Sequence, residues 1–190
     1  MTLCEAGPET PHSRRSFLRA AAGAGAALVL GAGAAPAFDA PAGGVRALSF
    51  LNTHTGESLS GVYWADGAYE PEALAAFDRV LRDHRTGDVR AIDRRLLDVL
   101  HLLRRDLVTS APFHVISCYR SPRTNAGLRA RGRAVAPKSL HMEGKAADIR
   151  LPGVPLDDLH RVAVALGAGG VGYYPGPSFV HVDVGRVRYW

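Results

Sequence analysis

Two stretches in the second half of the chain decide the fold: SLHMEGKAAD at residues 139–148 and FVHVDVG at residues 179–185. In the first stretch, Gly144 allows a tight turn between a loop that carries His141 and a strand that carries Asp148. Because side chains alternate along a strand, Asp148 is expected on the face opposite to the apolar residues of the core. The stretch therefore predicts two polar side chains held close to one turn.

The second stretch alternates between polar and apolar residues, which predicts a strand with one buried face. His181 and Asp183 share one face with Phe179, and the valines between them face the core. Two histidines and one aspartate, His141, Asp148 and His181, form a donor set typical of catalytic zinc, with a fourth position left for water. A histidine beside a strand is also common as a purely structural residue, so the spacing alone leaves both interpretations open.

Further from these stretches, helical patterns come first and most strand patterns later, an order typical of α+β proteins. Apolar periodicity, capping residues and glycine stops define the expected elements. The predicted strands are 45–52, 113–118, 145–151 and two or three short ones in the last twenty residues. The predicted helices begin at Pro71, cover 92–107, run from an N-cap at Ser121 to about Gly132, and cover 155–166 before Gly167.

Length and composition exclude several classes of protein. The chain has 190 residues, of which 47% are hydrophobic and 22% charged, enough for one domain with a core. Two cysteines, Cys4 and Cys118, cannot form a disulfide scaffold, and Cys118 is expected to be a buried, unreactive thiol. The net charge is +5, and the arginines are dispersed among acidic residues on helix faces. This dispersion disfavours nucleic-acid binding, and a basic surface suits an anionic wall polymer.

The first 37 residues have the pattern of an export signal. Arg14 and Arg15 precede the uncharged residues 20–38, and the small residues at 35–37 suit signal peptidase. Paired arginines before a mildly apolar region resemble a twin-arginine signal. An uncleaved membrane anchor is the alternative, but alanine and glycine make a poor membrane span. We expect cleavage after residue 37, export to the periplasm, a mature domain at 38–190 and no stable membrane span.

The two stretches resemble the zinc D-Ala-D-Ala carboxypeptidase family, whose fold is shared with the hedgehog signalling domain. Four further segments, in matching order, resemble its exported branch, the murein endopeptidase K-like proteins that cut peptidoglycan cross-links. These segments lie at 52–57, 81–87, 119–125 and 169–174, so the resemblance covers roughly residues 45–190. It implies a small antiparallel sheet with helices packed on one side.

The resemblance also implies a site. His141, Asp148 and His181 would bind Zn²⁺, and Arg120 lies where the family has an arginine near the scissile carbonyl. A fixed guanidinium there could bind a substrate carboxylate or stabilise a developing oxyanion. Tyr119, Ser139 and His54 are further candidates for substrate contact, and a simple turn is the alternative for His54.

The general base does not carry over from the family. Many relatives place a glutamate three residues before the last histidine ligand, or a histidine two residues before it, and this chain has Ser178 and Phe179 there. Asp183 is the best remaining acid, because it shares a strand face with His181. It could deprotonate the metal-bound water or orient a ligand from behind, and the sequence leaves both roles open. Glu143, between two ligands, fits a solvated loop residue.

The implied function is zinc-dependent hydrolysis of peptide cross-links in peptidoglycan, with the peptide stems as partners. The short connections at 132–138 and 172–181 leave few residues for a lid, which favours an open groove and an endopeptidase. Of the two kinds of cross-link, we expect the bond between two diaminopimelate residues to be the target rather than the D-Ala–diaminopimelate bond. The alternatives are a D,D-carboxypeptidase and a non-catalytic, zinc-containing module that binds peptidoglycan.

Overall fold

A computed structural model describes residues 44–133 and 135–190 of the chain. The expected export signal at 1–37 lies outside these residues, so the signal and the boundary at 38 stay predictions. Within the described ranges, no helix combines the length and the apolar character needed to cross a membrane.

The described residues form eight strands, four α-helices and one short 3₁₀ helix. The strands are β1 (Arg46–Asn52), β2 (Ser58–Ala65), β3 (Ala68–Tyr69), β4 (Phe113–Ser117), β5 (Ala146–Arg150), β6 (Gly170–Tyr174), β7 (Phe179–Asp183) and β8 (Arg188–Tyr189). The helices are α1 (Pro71–Val80), α2 (Arg94–Asp106), α3 (Pro122–Ala130), the 3₁₀ helix (Leu140–Glu143) and α4 (Leu156–Leu166).

All eight strands belong to one sheet, in the order β3-β2-β1-β4-β5-β7-β6-β8. The α+β class is confirmed, but the sheet is larger than the small antiparallel sheet that the sequence suggested, and it is mixed. The β1–β4 and β6–β8 pairs are parallel. The chain between β1 and β4 contains α1 and α2, and a crossover of this kind returns a strand in the same direction.

Capping residues set several helix ends, and Ser121 and Gly167 were predicted to do so. Ser121 caps α3, where its hydroxyl accepts a hydrogen bond from the backbone N–H of Thr124. Asp93 caps α2 in the same way, and Gly167 ends α4 with a left-handed backbone (φ +59°). Local sequence therefore determines where these helices begin and end.

Helices α1, α2 and α4 cover one face of the sheet and bury the core there. α1 and α2 pack on β1, α4 packs on β6 and β7, and α2 also contacts α4. The Phe50 ring of β1 meets the Phe77 ring of α1 edge-on, with centroids 5.1 Å apart. Cys118 is a free cysteine buried in this core, as predicted, and burial raises the pKa of its thiol. The opposite face of β5 and β7 is left to carry polar side chains.

Candidate metal centre

Three sequence-predicted ligands come together on the face of the sheet opposite to α1, α2 and α4. Asp148 of β5 and His181 of β7 are direct partners in the antiparallel ladder. His141 lies in the 3₁₀ helix, which ends at Gly144 with a left-handed backbone (φ +69°). A Cβ atom at Gly144 would lie 2.5 Å from the carbonyl oxygen of Ala91, so only glycine fits this turn. The tight turn predicted from the sequence is confirmed.

The donor atoms of the three residues are as close as the ligands of a single metal ion. His141 Nε2 lies 3.2 Å from His181 Nδ1, and His181 Nδ1 lies 2.9 Å from Asp148 Oδ1. His141 Nε2 and Asp148 Oδ1 are 3.3 Å apart. A tetrahedral site with bonds of about 2.0–2.1 Å places its ligand atoms about 3.3–3.4 Å apart. The triangle of donor atoms therefore fits one face of such a tetrahedron, and the three residues could hold a metal ion.

Hydrogen bonds to the outer ring nitrogens fix the tautomers of both histidines. His141 Nδ1 lies 2.7 Å from the carbonyl oxygen of Cys118, which can only accept, so this nitrogen carries the proton. His181 Nε2 lies 3.0 Å from Asp183 Oδ2 and donates to that carboxylate. The inner nitrogens therefore present lone pairs to each other and to Asp148. Three lone pairs directed at one point repel one another unless a cation lies between them. The residues present therefore fit a bound metal ion.

The electrostatics of the centre also favour positive charge. Burial opposes ionisation of Asp148, but the charges and hydrogen bonds of His141 and His181 outweigh it and hold the pKa of the carboxyl well below its usual range. Burial likewise opposes a charged His181, yet the neighbouring carboxylates of Asp148 and Asp183 raise the pKa of its imidazole. The carboxylate is thus ionised and ready to bind a cation.

Asp183 lies behind His181, away from the other donors. Its side chain is fully buried, and its oxygens accept hydrogen bonds from the backbone N–H groups of Gly170 and Gly185. Arg188 pairs with both oxygens, with the shorter N–O distance 2.6 Å. Burial opposes the charge, but His181 and Arg188 hold the pKa of Asp183 well below its usual range. Of the two roles that the sequence left open, these contacts support the orientation of His181.

Arg120 borders the centre and has hydrogen-bonding capacity to spare. Its backbone N–H donates to the carbonyl oxygen of His141 at 3.1 Å, so the arginine and the ligand are held together. Its Nη2 lies 3.3 Å from Ser117 Oγ and 3.7 Å from Asp148 Oδ2. Its Nε is buried without a hydrogen-bond partner among the described residues. Burial lowers the pKa of this guanidinium.

Asp83 fixes the segment that carries Arg120, a role that the sequence did not reveal. The Asp83 carboxylate is buried and accepts hydrogen bonds from the backbone N–H groups of Ser121 at 2.8 Å and Arg85 at 2.9 Å. Burial opposes its charge, but hydrogen bonds from Thr124 and Ser121 lower the pKa to about 2. The resemblance singled out the segment 81–87, and this contact explains why an acid stands there.

A cavity of about 240 Å³ opens beside the three donors, and Arg120 and Ser139 line it as predicted. Tyr119 instead belongs to the buried core, and His54 lies in an exposed loop with its ring stacked on His84 at 3.8 Å. Neither of these two lines the cavity. Sequence reasoning did not assign the other eight lining residues to the site: Val135, Ala136, Lys138, Leu140, Tyr174, Phe179, Arg188 and Trp190.

Comparison with known proteins agrees with this geometry. The family described as peptidoglycan L,D-endopeptidase MepK matches residues 40–190. The chain is 43% identical over 145 residues to the peptidoglycan L,D-endopeptidase MepK of Escherichia coli K12, across 76% of this chain and 80% of that protein. It is 42% identical over 146 residues to the probable MepK of Haemophilus influenzae, across 76% and 78%. The resemblance drawn from the motifs is thereby confirmed, and the chain belongs to the MepK family of metallopeptidases.

Proposed function

We propose that this chain is a zinc-dependent peptidoglycan hydrolase that cuts L,D peptide cross-links between stem peptides. The observation that carries the proposal is the triangle of inward-facing lone pairs on His141, Asp148 and His181. Two histidines and one carboxylate are ligands that zinc prefers, and three protein ligands leave one position for water. The relatives, named peptidoglycan L,D-endopeptidases, support the substrate class.

Zinc bound to these residues would supply Lewis-acid chemistry and a reactive water near neutral pH. The chain's own contribution begins with Asp183, which holds the Nε2 proton of His181 and so keeps Nδ1 directed inward. The Cys118 carbonyl does the same for His141. Both ligands are thus oriented before any substrate binds.

We assign Arg120 to the scissile carbonyl. Its buried guanidinium lines the cavity beside Asp148 and retains an unpartnered N–H. As the carbonyl carbon becomes tetrahedral, negative charge develops on its oxygen, and a fixed cation in a dry site stabilises that charge. Asp83 holds the backbone after Arg120 through the N–H of Ser121, which limits movement of the guanidinium.

The size of the cavity supports an endopeptidase. Its volume of about 240 Å³ is smaller than the roughly 300–1,000 Å³ of typical small-molecule pockets, so it encloses only a short segment of a substrate. The remaining parts of two cross-linked stems would lie outside it. Among L,D bonds, we propose the bond between two diaminopimelate residues.

The test is the analysis of peptidoglycan after digestion. Purified protein is incubated with sacculi enriched either in diaminopimelate–diaminopimelate or in D-Ala–diaminopimelate cross-links, and the muropeptides are measured by mass spectrometry. We expect dimers of the first kind to disappear, and the His181→Ala variant to leave them intact. Release of terminal D-Ala without loss of dimers would make the protein a carboxypeptidase. Binding to sacculi without any cleavage would make it a binding module.

We also propose export to the periplasm through the twin-arginine signal at residues 1–37. A cell-wall substrate supports export, and the paired Arg14 and Arg15 support this route. Replacing both arginines by lysine should leave uncleaved protein in the cytoplasm. Normal export of that variant would contradict the route without affecting the proposed reaction.

A further inference from the structure

An aromatic surface borders the cavity beside the metal centre, and nothing in the proposed reaction uses it. Trp190 follows β8, and its ring lies 5.3 Å from the His181 ring between centroids. Tyr174 and Phe179 line the same cavity and stack at 4.6 Å. Trp190 is 49% exposed, although it adjoins a buried metal ligand. A large aromatic surface left open beside a reactive centre is suited to packing on a ligand.

The position of the Trp190 ring is fixed by the surrounding strands. Its backbone N–H donates to the Val171 carbonyl, and its carbonyl accepts from the N–H of Tyr173 at 2.9 Å. The indole Nε1–H donates to the hydroxyl of Tyr174 at 2.7 Å. The guanidinium of Arg188 lies 4.9 Å from the ring centroid. Because the ring is held in place in advance, little conformational entropy is lost when a ligand packs on it.

Gly172 makes room for this ring. It is the direct partner of His181 in the β6–β7 ladder, so it lies next to the metal centre. A Cβ atom at Gly172 would lie 2.6, 2.7 and 2.8 Å from three atoms of the Trp190 indole. Any side chain at this position would displace the ring. The strand therefore has a glycine at the place where the indole rests on it.

Trp190 and Arg120 lie on opposite sides of the metal centre. Arg120 follows β4, Asp148 and His181 lie on β5 and β7, and Trp190 packs on β6. The strand order β4-β5-β7-β6 therefore places the donors between the arginine and the indole. A substrate that crosses the sheet at the donors meets a cation on one side and an aromatic surface on the other.

The lining of the cavity combines cationic and aromatic side chains. Three cations line it, Arg120, Lys138 and Arg188, of which Arg188 is already paired with Asp183. Asp148 is the only carboxylate among the described lining residues. Carboxylates bind to guanidinium and ammonium groups, and methylene groups pack on aromatic rings. Diaminopimelate combines these features, because a straight methylene chain separates its two centres, each of which bears an amino group and a carboxyl group.

We propose that Trp190 determines specificity by packing its exposed indole on the methylene chain of the diaminopimelate residue on its side of the scissile bond. The inference rests on the proposed function and adds the feature of the substrate that is recognised. Because methylenes that leave water contribute to binding, loss of the indole should raise KM about tenfold, with little change in kcat.

The test compares five proteins on three substrates. The proteins are the wild type, Trp190→Ala, Trp190→Phe, Gly172→Ala and the control Tyr189→Ala. Tyr189 is as exposed as Trp190, at 49%, but its hydroxyl points to the Val164 carbonyl of α4 on the other face of the sheet. The substrates are a dimer joined through two diaminopimelate residues and two analogues. In one analogue L-Ala replaces the residue that supplies the carbonyl, and in the other D-Ala replaces the residue that supplies the amine.

Trp190→Ala and Gly172→Ala should both raise KM for the parent dimer about tenfold. They should have little effect on KM for the analogue that lacks the diaminopimelate residue packed on the indole. Tyr189→Ala should match the wild type. Metal content is measured for each protein, and Trp190→Phe, which keeps an apolar ring, should recover part of the loss. This second variant separates the loss of the indole surface from a folding defect.

The proposal would be overturned if KM rose equally for all three substrates, if KM did not change, or if both Trp190 variants lost the metal. Trp190 would then only support the structure. A wild-type protein that cuts none of the substrates would contradict the proposed function itself. The two failures are therefore distinguishable in one set of measurements.

Discussion

The metal donors and Arg120 lie side by side, but the donors have well-formed hydrogen bonds to surrounding groups whereas Arg120 has few. Every outer nitrogen of His141 and His181 has a partner within 3.0 Å, and Asp183 behind them has both oxygens occupied. Arg120 has one contact at 3.3 Å, one at 3.7 Å and a buried Nε without a partner among the described residues. Buried polar groups are normally paired, so the unpaired Nε of Arg120 calls for an explanation.

The difference indicates two separate tasks. The histidine side of the centre is complete before a ligand arrives, as expected for residues that hold one ion in one geometry. The arginine lines the cavity and makes only long side-chain contacts of its own, as expected for a group that pairs only when a substrate or its transition state is bound. Removing a residue from each side should therefore change different measured quantities.

The largest effect should come from the donors themselves. His141→Ala or His181→Ala should lose both bound zinc and activity, because two ligands cannot hold the ion in place. Elemental analysis of protein purified without added metal and a cross-link cleavage assay measure the two losses. The control is His160→Ala, which removes a histidine from α4. Full zinc stoichiometry in either ligand variant would show that the ligand assignment is wrong.

Arg120→Ala should lower turnover without removing the metal. We expect normal zinc content and a loss of about a hundredfold or more in kcat, the usual effect of removing an oxyanion donor. Arg123→Ala, an exposed arginine of α3, is the matched control and should behave as the wild type. Loss of zinc in Arg120→Ala would mean that the arginine belongs to the metal side of the comparison.

Asp183→Asn should weaken the metal site without abolishing it. The amide removes the charge that faces His181 and Arg188, and loss of such an outer partner typically costs about 10–100-fold in metal affinity. Competition with a chelator measures the affinity, and saturating zinc should restore much of the activity. Asp158→Asn, in an exposed ion pair with Arg161, is the control. An Asp183→Asn protein with normal zinc affinity but no turnover would assign the base role to Asp183.

Asp83 should show the smallest effect, as a dependence of stability on pH. Its pKa is about 2 in the folded chain and 3.8 ordinarily, so its contribution to stability is present above pH 3.8 and is lost as the pH falls through 2. Asp83→Asn should lack this part of the acid dependence and lose about 1–3 kcal/mol at neutral pH through weakened buried hydrogen bonds. Urea unfolding between pH 7 and pH 2 measures both. An acid dependence identical to that of the wild type would exclude the role of Asp83.

Local sequence patterns predicted much of the fold. The alternation in β7 and the loop–turn–strand pattern around Gly144 predicted the strand faces and the turn, because these depend on neighbouring residues. The α2 and α4 patterns and the Ser121 cap were found for the same reason. The family resemblance, and not these patterns, identified His141, Asp148 and His181 as one set of ligands. The β2–β3 hairpin was missed, because the strand SLSGVYWA is largely exposed and lacks a strong apolar pattern.

Contacts between distant segments could not be read from the sequence. Asp83 meets Ser121 across 38 positions, and the pairing of β8 with β6 places Trp190 at the cavity. The alternation put His181 and Asp183 on one face, but it did not reveal which ring nitrogen faces the carboxylate. That choice separates an orienting residue from a base, and only the packed structure makes it visible.

The most direct test of the central claim is a zinc titration of metal-free protein with a diaminopimelate–diaminopimelate dimer as the substrate. Cleavage, followed by mass spectrometry, should rise in proportion to added zinc and reach its maximum at one equivalent per chain. The His181→Ala protein should stay inactive throughout. Cleavage of the dimer by fully metal-free protein, or binding of one zinc without any cleavage, would contradict the account.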